Sequence, residues 1–312
     1  MSVTLPVVEL EGQPPATAVE VPAVPQLPLN EYHPSFSSPN ADVVLLSADS
    51  VRFRVASELL SRSSAWFRIM LSLPQGPGMD RAEPIPVNEP SDVLADVLNI
   101  VNGSDLPALD KVDRLETLLA VADKYEISMV TAVVRMALSS RLLDASPIRL
   151  YNIACKMSWK REAMEASSRT LTTSLSSPAA QMELAALEPP YRDKLLDLHR
   201  RRREELFAAL DNETTFYANI RAGPCNTGDA NSTCTTPLDH SNWWALKYAL
   251  LKRWDERPIG EELDESFYRM AEVWDMSAAK CLKCKRKIYG MASTIENVNA
   301  AIRKLPRMVQ WD

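Results

Sequence analysis

Residues 41–71 read ADVVLLSADSVRFRVASELLSRSSAWFRIML. Val43, Val44, Leu45 and Leu46 form an uninterrupted apolar run, the pattern of a strand covered on both faces, and Ala48-Asp49-Ser50 is a turn. Val51, Phe53 and Val55 then alternate with Arg52 and Arg54, the period of a half-buried strand. Together they predict a hairpin. Ser57 is placed to cap a helix carrying Leu59 and Leu60. A second short helix carries Trp66, Phe67, Ile69 and Met70 before Pro74 and the Gly76-Pro77-Gly78 turn.

Working outward, Ile85 to Val87 reads as a third short strand. Ser91 is placed to cap a helix from Asp92 to Val101, in which Val93, Leu94, Val97, Leu98 and Val101 recur at helical spacing. The acid at its start suits the positive end of the helix dipole. Two more helices are predicted, Val112 to Tyr125 and Ser128 to Leu143. Short strands followed by clustered helices predict an α+β domain over residues 40–145, with a small sheet, rather than the regular alternation of a doubly wound fold. Upstream, residues 1–39 place prolines at 6, 14, 15, 22, 25, 28, 34 and 39 among Val, Glu and Ala with no helix or strand period. That composition predicts a disordered arm.

Downstream the chain reads as mainly α-helical, with an extension over 146–222 and a C-terminal region over 223–312. Ser146-Pro147 starts a helix bearing Ile148, Leu150, Tyr151 and Ile153, and another covers Trp159 to Leu171. Glu188-Pro189-Pro190 opens a long helix with Tyr191, Leu195, Leu198, Leu206 and Leu210 in one apolar stripe. After a polar loop, Gly223 to Asp239, Ser241 is placed to cap a helix bearing Trp243, Trp244, Tyr248, Leu251 and Trp254. Phe267, Met270, Ala271 and Trp274 mark a further helix, and Ile288, Met291, Ile295, Val298, Ile302 and Leu305 the last.

The segment 41–71, the Ile85-Pro-Val strand and LETLLAVADKYEISMVTAVVRMAL together resemble a BTB/POZ domain, over about a third of the chain. Ala41-Asp42-Val43, the Phe53-x-Val55 strand and Ser63, Ser64 and Phe67 carry the resemblance best. The family commonly has His after the Phe-x-Val strand, where this chain has Ala56, so any pocket relying on that histidine is altered. PIRLYNIACKMSW resembles the helical extension that follows many BTB domains. With the Trp-rich segment and the late Cys-x-x-Cys, the order of parts resembles BTB proteins of mushroom-forming fungi. The resemblance implies self-association or docking to protein partners, including a cullin-type ubiquitin ligase scaffold in some members.

The chain has 312 residues, 46% hydrophobic and 24% charged, enough for one large or two ordinary domains. Only 8 Gly, and neither Gly-x-Gly-x-x-Gly nor Gly-x-x-x-x-Gly-Lys, argue against dinucleotide and P-loop sites. A net charge of -6 and a pI near 5.3 disfavour a broad nucleic-acid or membrane-binding surface and leave room only for a local basic patch. The run from Leu115 to Leu143 is broken by Asp123, Lys124, Glu126, Arg135 and Arg141, so no membrane span is predicted. The N-terminus lacks the pattern of a signal peptide, and the five cysteines are an odd number. Reduced thiols and a cytoplasmic or nuclear location are expected.

Cys281-Leu-Lys-Cys284 is the sharpest local motif, because two intervening residues let both sulfurs converge on one tetrahedral ion. A partner pair is available in Cys225 and Cys234, with His240 in reserve. The eight residues between Cys225 and Cys234 exceed a standard knuckle, and in the fungal proteins that the chain resembles the earlier pair is often a short Cys-x-x-Cys. Lys280, Lys283, Lys285, Arg286 and Lys287 would favour the thiolates that zinc needs. The expected cofactor is therefore one structural zinc held by Cys225, Cys234, Cys281 and Cys284. A thioredoxin-like redox pair and reduced thiols holding nothing are the other readings. Cys155, among Ile153, Ala154 and Met157, is expected to be core.

His199-Arg200-Arg201-Arg202-Arg203 lies among Asp193, Asp197, Glu204 and Glu205 at helical spacing, the pattern of a solvated helix laced with ion pairs. The spacing of Trp244, Tyr248 and Leu251 predicts packed core rather than a peptide groove or stacking platform. No Ser-His-Asp, Cys-His or paired-carboxylate spacing points to a reaction. What the BTB/POZ resemblance implies is a non-catalytic protein-protein interaction module, a scaffold or adaptor; the acidic net charge disfavours a nucleic-acid partner, and no membrane partner is expected. The alternative is a zinc-stabilised nucleic-acid-binding or transcription-associated protein using residues 280–287.

Overall fold

The computed structural model describes residues 32–73, 83–139, 145–216, 234, 236–260 and 267–311. These divide into two compact units, one within Met1–Asp105 together with Tyr125–Ile127, the other within Leu106–Lys124 and Ser128–Asp312.

The first unit is α+β. Strands β1 (Val43–Leu46) and β2 (Arg52–Val55) form the expected hairpin, with Val43 opposite Val55 and Leu45 opposite Phe53. Strand β3 (Ile85–Pro86) joins β1 in parallel, so the order is β2-β1-β3 and the apolar run is the central strand. Val43 and Leu45 are buried, whereas Val44 and Leu46 are half-buried, so β1 alternates rather than being covered equally on both faces. Helices α1 (Ser57–Ser63), α2 (Ala65–Ser72) and α3 (Ser91–Asn102) complete the unit.

Two aspartates that flank β1 hold two helix starts. Asp42 accepts from the Ser57 amide at 2.7 Å and its hydroxyl at 2.6 Å, and Asp49 accepts from the same groups of Ser91 at 2.9 and 2.5 Å. Ser57 and Ser91 are the first helical residues and not the caps expected from sequence, because the carboxylates meet the exposed N–H groups and the positive helix ends more strongly than a hydroxyl does. Ser64 does cap α2, accepting from the Phe67 amide at 3.0 Å. Its own hydroxyl donates to the Tyr125 carbonyl, and Phe67 stacks on the Tyr125 ring at 5.3 Å. Tyr125 also donates to buried Glu89 at 2.6 Å.

The arm expected over 1–39 is ordered in its final part. Tyr32 bridges to Arg52, the His33 amide donates to the Arg52 carbonyl at 2.8 Å, and the His33 ring stacks on Phe53. Pro34–Phe36 form a 3-10 turn that buries Phe36. An aromatic pair anchoring on Phe53 outweighs the low structural content of the surrounding prolines. Residues 1–31 lie outside the described residues.

The second unit is helical. Its helices are α4 (Val112–Lys124), α5 (Ser128–Leu138), α6 (Pro147–Lys156), α7 (Lys160–Thr170), α8 (Pro178–Ala185), α9 (Pro189–Leu210), α10 (Glu213–Phe216), α11 (Ser241–Glu256), α12 (Ala271–Ala278) and α13 (Met291–Lys304). Helices α4 and α5 group with the helices that follow them, while Tyr125–Ile127 between them group with the first unit. Cys155 is buried in α6 as expected, and burial pushes its thiol up to about 11.

Helix α9 packs against α11 and α13 around a core that includes Leu206, Leu210, Trp243, Leu250, Trp254, Val298 and Ile302. The buried face of α11 is Trp243, Leu246, Lys247, Leu250, Leu251 and Trp254. Tyr248 is 72% exposed, so the stripe drawn through Trp244 and Tyr248 has the wrong phase. Both phases are aromatic at helical spacing, and only packing against α9 and α12 chooses between them. Lys247 is buried between the Phe207 ring, 3.6 Å from its ammonium, and Asp211, which it meets at 2.5 Å. Trp274 is exposed in α12, whose buried side chains are Val273 and Met276.

The arginine run divides. Arg200 pairs with Asp197 and Glu204, and Arg203 with Asp255, as a solvated face should. Arg202, 1% exposed, is instead in the core. It donates to the carbonyls of Pro258 and Ile259 just beyond α11, and of Leu305 and Pro306 just beyond α13. It thus meets the negative ends of two helix dipoles. Burial, and then the charge of Arg307, lower its pKa to about 10, so it remains a cation at neutral pH.

Candidate metal centre

The segment between α12 and α13 doubles back as a hairpin. Lys280 bridges Lys287 in antiparallel fashion, the Cys281 amide donates to the Arg286 carbonyl at 2.9 Å, and the Ile288 amide donates to Ala279 at 3.0 Å. The Lys285 amide closes the turn onto the Cys281 carbonyl, and Lys285 itself has φ 60, the left-handed conformation that reverses the chain there. Cys281 is buried and Cys284 half-buried, while Leu282 between them faces outward.

Cys234, which precedes α11, meets this hairpin. Its sulfur lies 3.7 Å from that of Cys281, and the sulfurs of Cys234, Cys281 and Cys284 all lie within 4.8 Å of one another. A disulfide would need about 2.05 Å. Tetrahedral zinc with bonds of about 2.3 Å sets its sulfurs about 3.8 Å apart. The three thiols can therefore hold a metal ion. Hydrogen bonding with the Thr236 backbone and hydroxyl, opposed by burial and helped by Cys281 and Cys284, pushes the Cys234 thiol down to about 6, toward the ligating thiolate.

Of the four cysteines picked out from sequence, Cys234, Cys281 and Cys284 come together, and Cys225 lies outside the described residues. His240, the reserve ligand, is not in the group. Its Nδ1 shares a hydrogen bond with the Tyr289 hydroxyl, and burial lowers its pKa despite the opposing charge of Asp239. The redox-pair geometry is not what forms: Cys281 sits in a hairpin, and the next helix begins at Met291. The two groups that sequence reasoning missed nearby are Thr236 and Tyr289, which carry no motif and act only through their position. No family model matches the chain, and no curated protein matches it.

Proposed function

We propose that the chain is a non-catalytic protein-interaction module whose C-terminal helices are fastened by one structural zinc ion. The observation that carries the metal half is the convergence of Cys234, Cys281 and Cys284 at sulfur spacings matching a tetrahedral thiolate site. Cys225, close before Cys234 in the sequence, is the proposed fourth ligand. Four thiolates leave no open position for water or substrate, so the ion supplies cross-linking and no chemistry. It ties the approach to α11 to the hairpin between α12 and α13, across the helices that enclose Trp243 and Val298.

The interaction half is supported by the order of elements in residues 41–138. Hairpin, paired helices, third strand and helices follow the pattern on which the BTB/POZ resemblance rests. Its partners are proteins, a second copy of the chain or a cullin-type ligase scaffold among them. Elemental analysis of protein purified without added metal should find about one zinc per chain, and Cys281→Ser with Cys284→Ser should abolish it. Chelation should lower the melting temperature of the helical unit. A metal-free protein whose thiols all react rapidly in the native state would overturn the site. For the interaction half, affinity capture by the intact chain and by a chain ending near 144 should recover a shared protein partner. Capture only by the intact chain would move the interaction to the helical unit.

A further inference from the structure

The hairpin at 280–287 presents a second kind of chemistry on its outer face. Lys280, Lys283, Lys285, Arg286 and Lys287 are all exposed, and no acid occurs in sequence between Asp275 and Glu296. Lys280 and Lys287 stand opposite each other in the antiparallel bridge, a like-charge pairing that costs stability in water. At the tip, Leu282 is 75% exposed within the turn, with cations on both sides of it.

We propose that this hairpin is a peripheral contact for an anionic lipid surface, with Leu282 entering the boundary between headgroups and acyl chains and the surrounding cations resting on the headgroups. The partner must offer both negative charge and apolar depth. A nucleic-acid backbone offers the first without the second, and leaves Leu282 in water. An acidic peptide likewise pairs with the cations and has no need of an exposed Leu282. Lysines predominate over arginine, so the charge acts through compact ammonium groups suited to diffuse headgroups rather than through bidentate forks suited to a fixed carboxylate. The chain's net charge of -6 does not prevent this, since charges beyond a Debye length of about 8 Å are screened at physiological salt. Among the described residues no helix is long and apolar enough to cross a membrane, so the contact is with the surface. The hairpin is closed by its own backbone hydrogen bonds, and this inference stands apart from the metal reading.

The test is co-sedimentation of the full chain with vesicles of phosphatidylcholine containing phosphatidylserine, against phosphatidylcholine alone. Binding should require the anionic lipid and weaken steeply as salt rises from about 0.1 M to about 0.5 M. Lys283→Glu with Lys285→Glu should weaken it about a hundredfold, and Leu282→Ser about tenfold. Zinc content of the same preparations reports separately on the metal. Failure of the wild-type chain to bind anionic vesicles would overturn the proposal. So would equally tight binding to a single-stranded oligonucleotide with no effect of Leu282→Ser, which would assign the patch to nucleic acid.

Discussion

The guanidinium of Arg202 donates to the Pro258 carbonyl through two nitrogens, Nη2 at 2.9 Å and Nε at 3.2 Å. The same side chain reaches the carbonyls that follow α13, so one buried cation joins three helices of the second unit through carbonyl acceptors.

Arg202→Met should therefore destabilise the protein by about 3 kcal/mol or more, because it fills the volume and leaves buried carbonyls without donors. Arg202→Lys should restore only part of this, since an ammonium cannot span both helix ends. Urea denaturation gives the difference, and a methionine variant as stable as wild type would show that the guanidinium is not a pin.

His199 adjoins this cation. Burial, and then the charge of Arg202, push its pKa down to about 4, and its Nε2 is hydrogen-bonded with Thr170. Above the unfolded value near 6.5 both states are neutral and its contribution is complete. As pH falls toward 4 the unfolded chain takes up a proton that the folded chain refuses, so stability drops by about 3 kcal/mol and then levels. His199→Gln should flatten the stability profile between pH 6.5 and 4 relative to wild type. An unchanged slope would exclude this histidine as its source.

Phe36 and His33 predict a difference between two truncations. A chain beginning at 40 should be less stable than one beginning at 32 by about 2 kcal/mol, the burial of Phe36 against Phe53 being lost. Equal melting temperatures would mean that residues 32–39 add nothing to the fold.

Tyr125 predicts where the first unit can be cut. A fragment covering 32–145 should melt cooperatively, because it keeps Tyr125–Ile127 together with the rest of the α+β unit. One ending at 105 should not, because it lacks the ring that stacks on Phe67, the carbonyl that accepts from Ser64 and the hydroxyl that satisfies Glu89. Thermal circular dichroism of both fragments distinguishes the cases.

The α9 stripe shows how far the sequence could be read. Leu195, Leu198, Leu206 and Leu210 are legible at helical spacing, and the position left vacant between Leu198 and Leu206 is Arg202. That gap was the available signal that one arginine of the run points inward. It was hidden by the acids around it, which do pair with the neighbouring arginines. The Cys281-x-x-Cys284 half of the metal centre was equally legible, whereas the pairing of His240 with the Tyr289 hydroxyl was not.

What the sequence determined by itself was local: the hairpin of β1 and β2, the helix starts at Ser146 and Pro189, and the convergence of two thiols across a two-residue turn. Each depends on residues within a few positions of one another, where spacing and capping chemistry act directly. The tertiary structure decided which aromatic face of α11 is buried, which arginine is a pin, and that Cys234 rather than His240 meets the hairpin. Those choices compare nearly equivalent local patterns, and only burial against distant elements gives them different free energies.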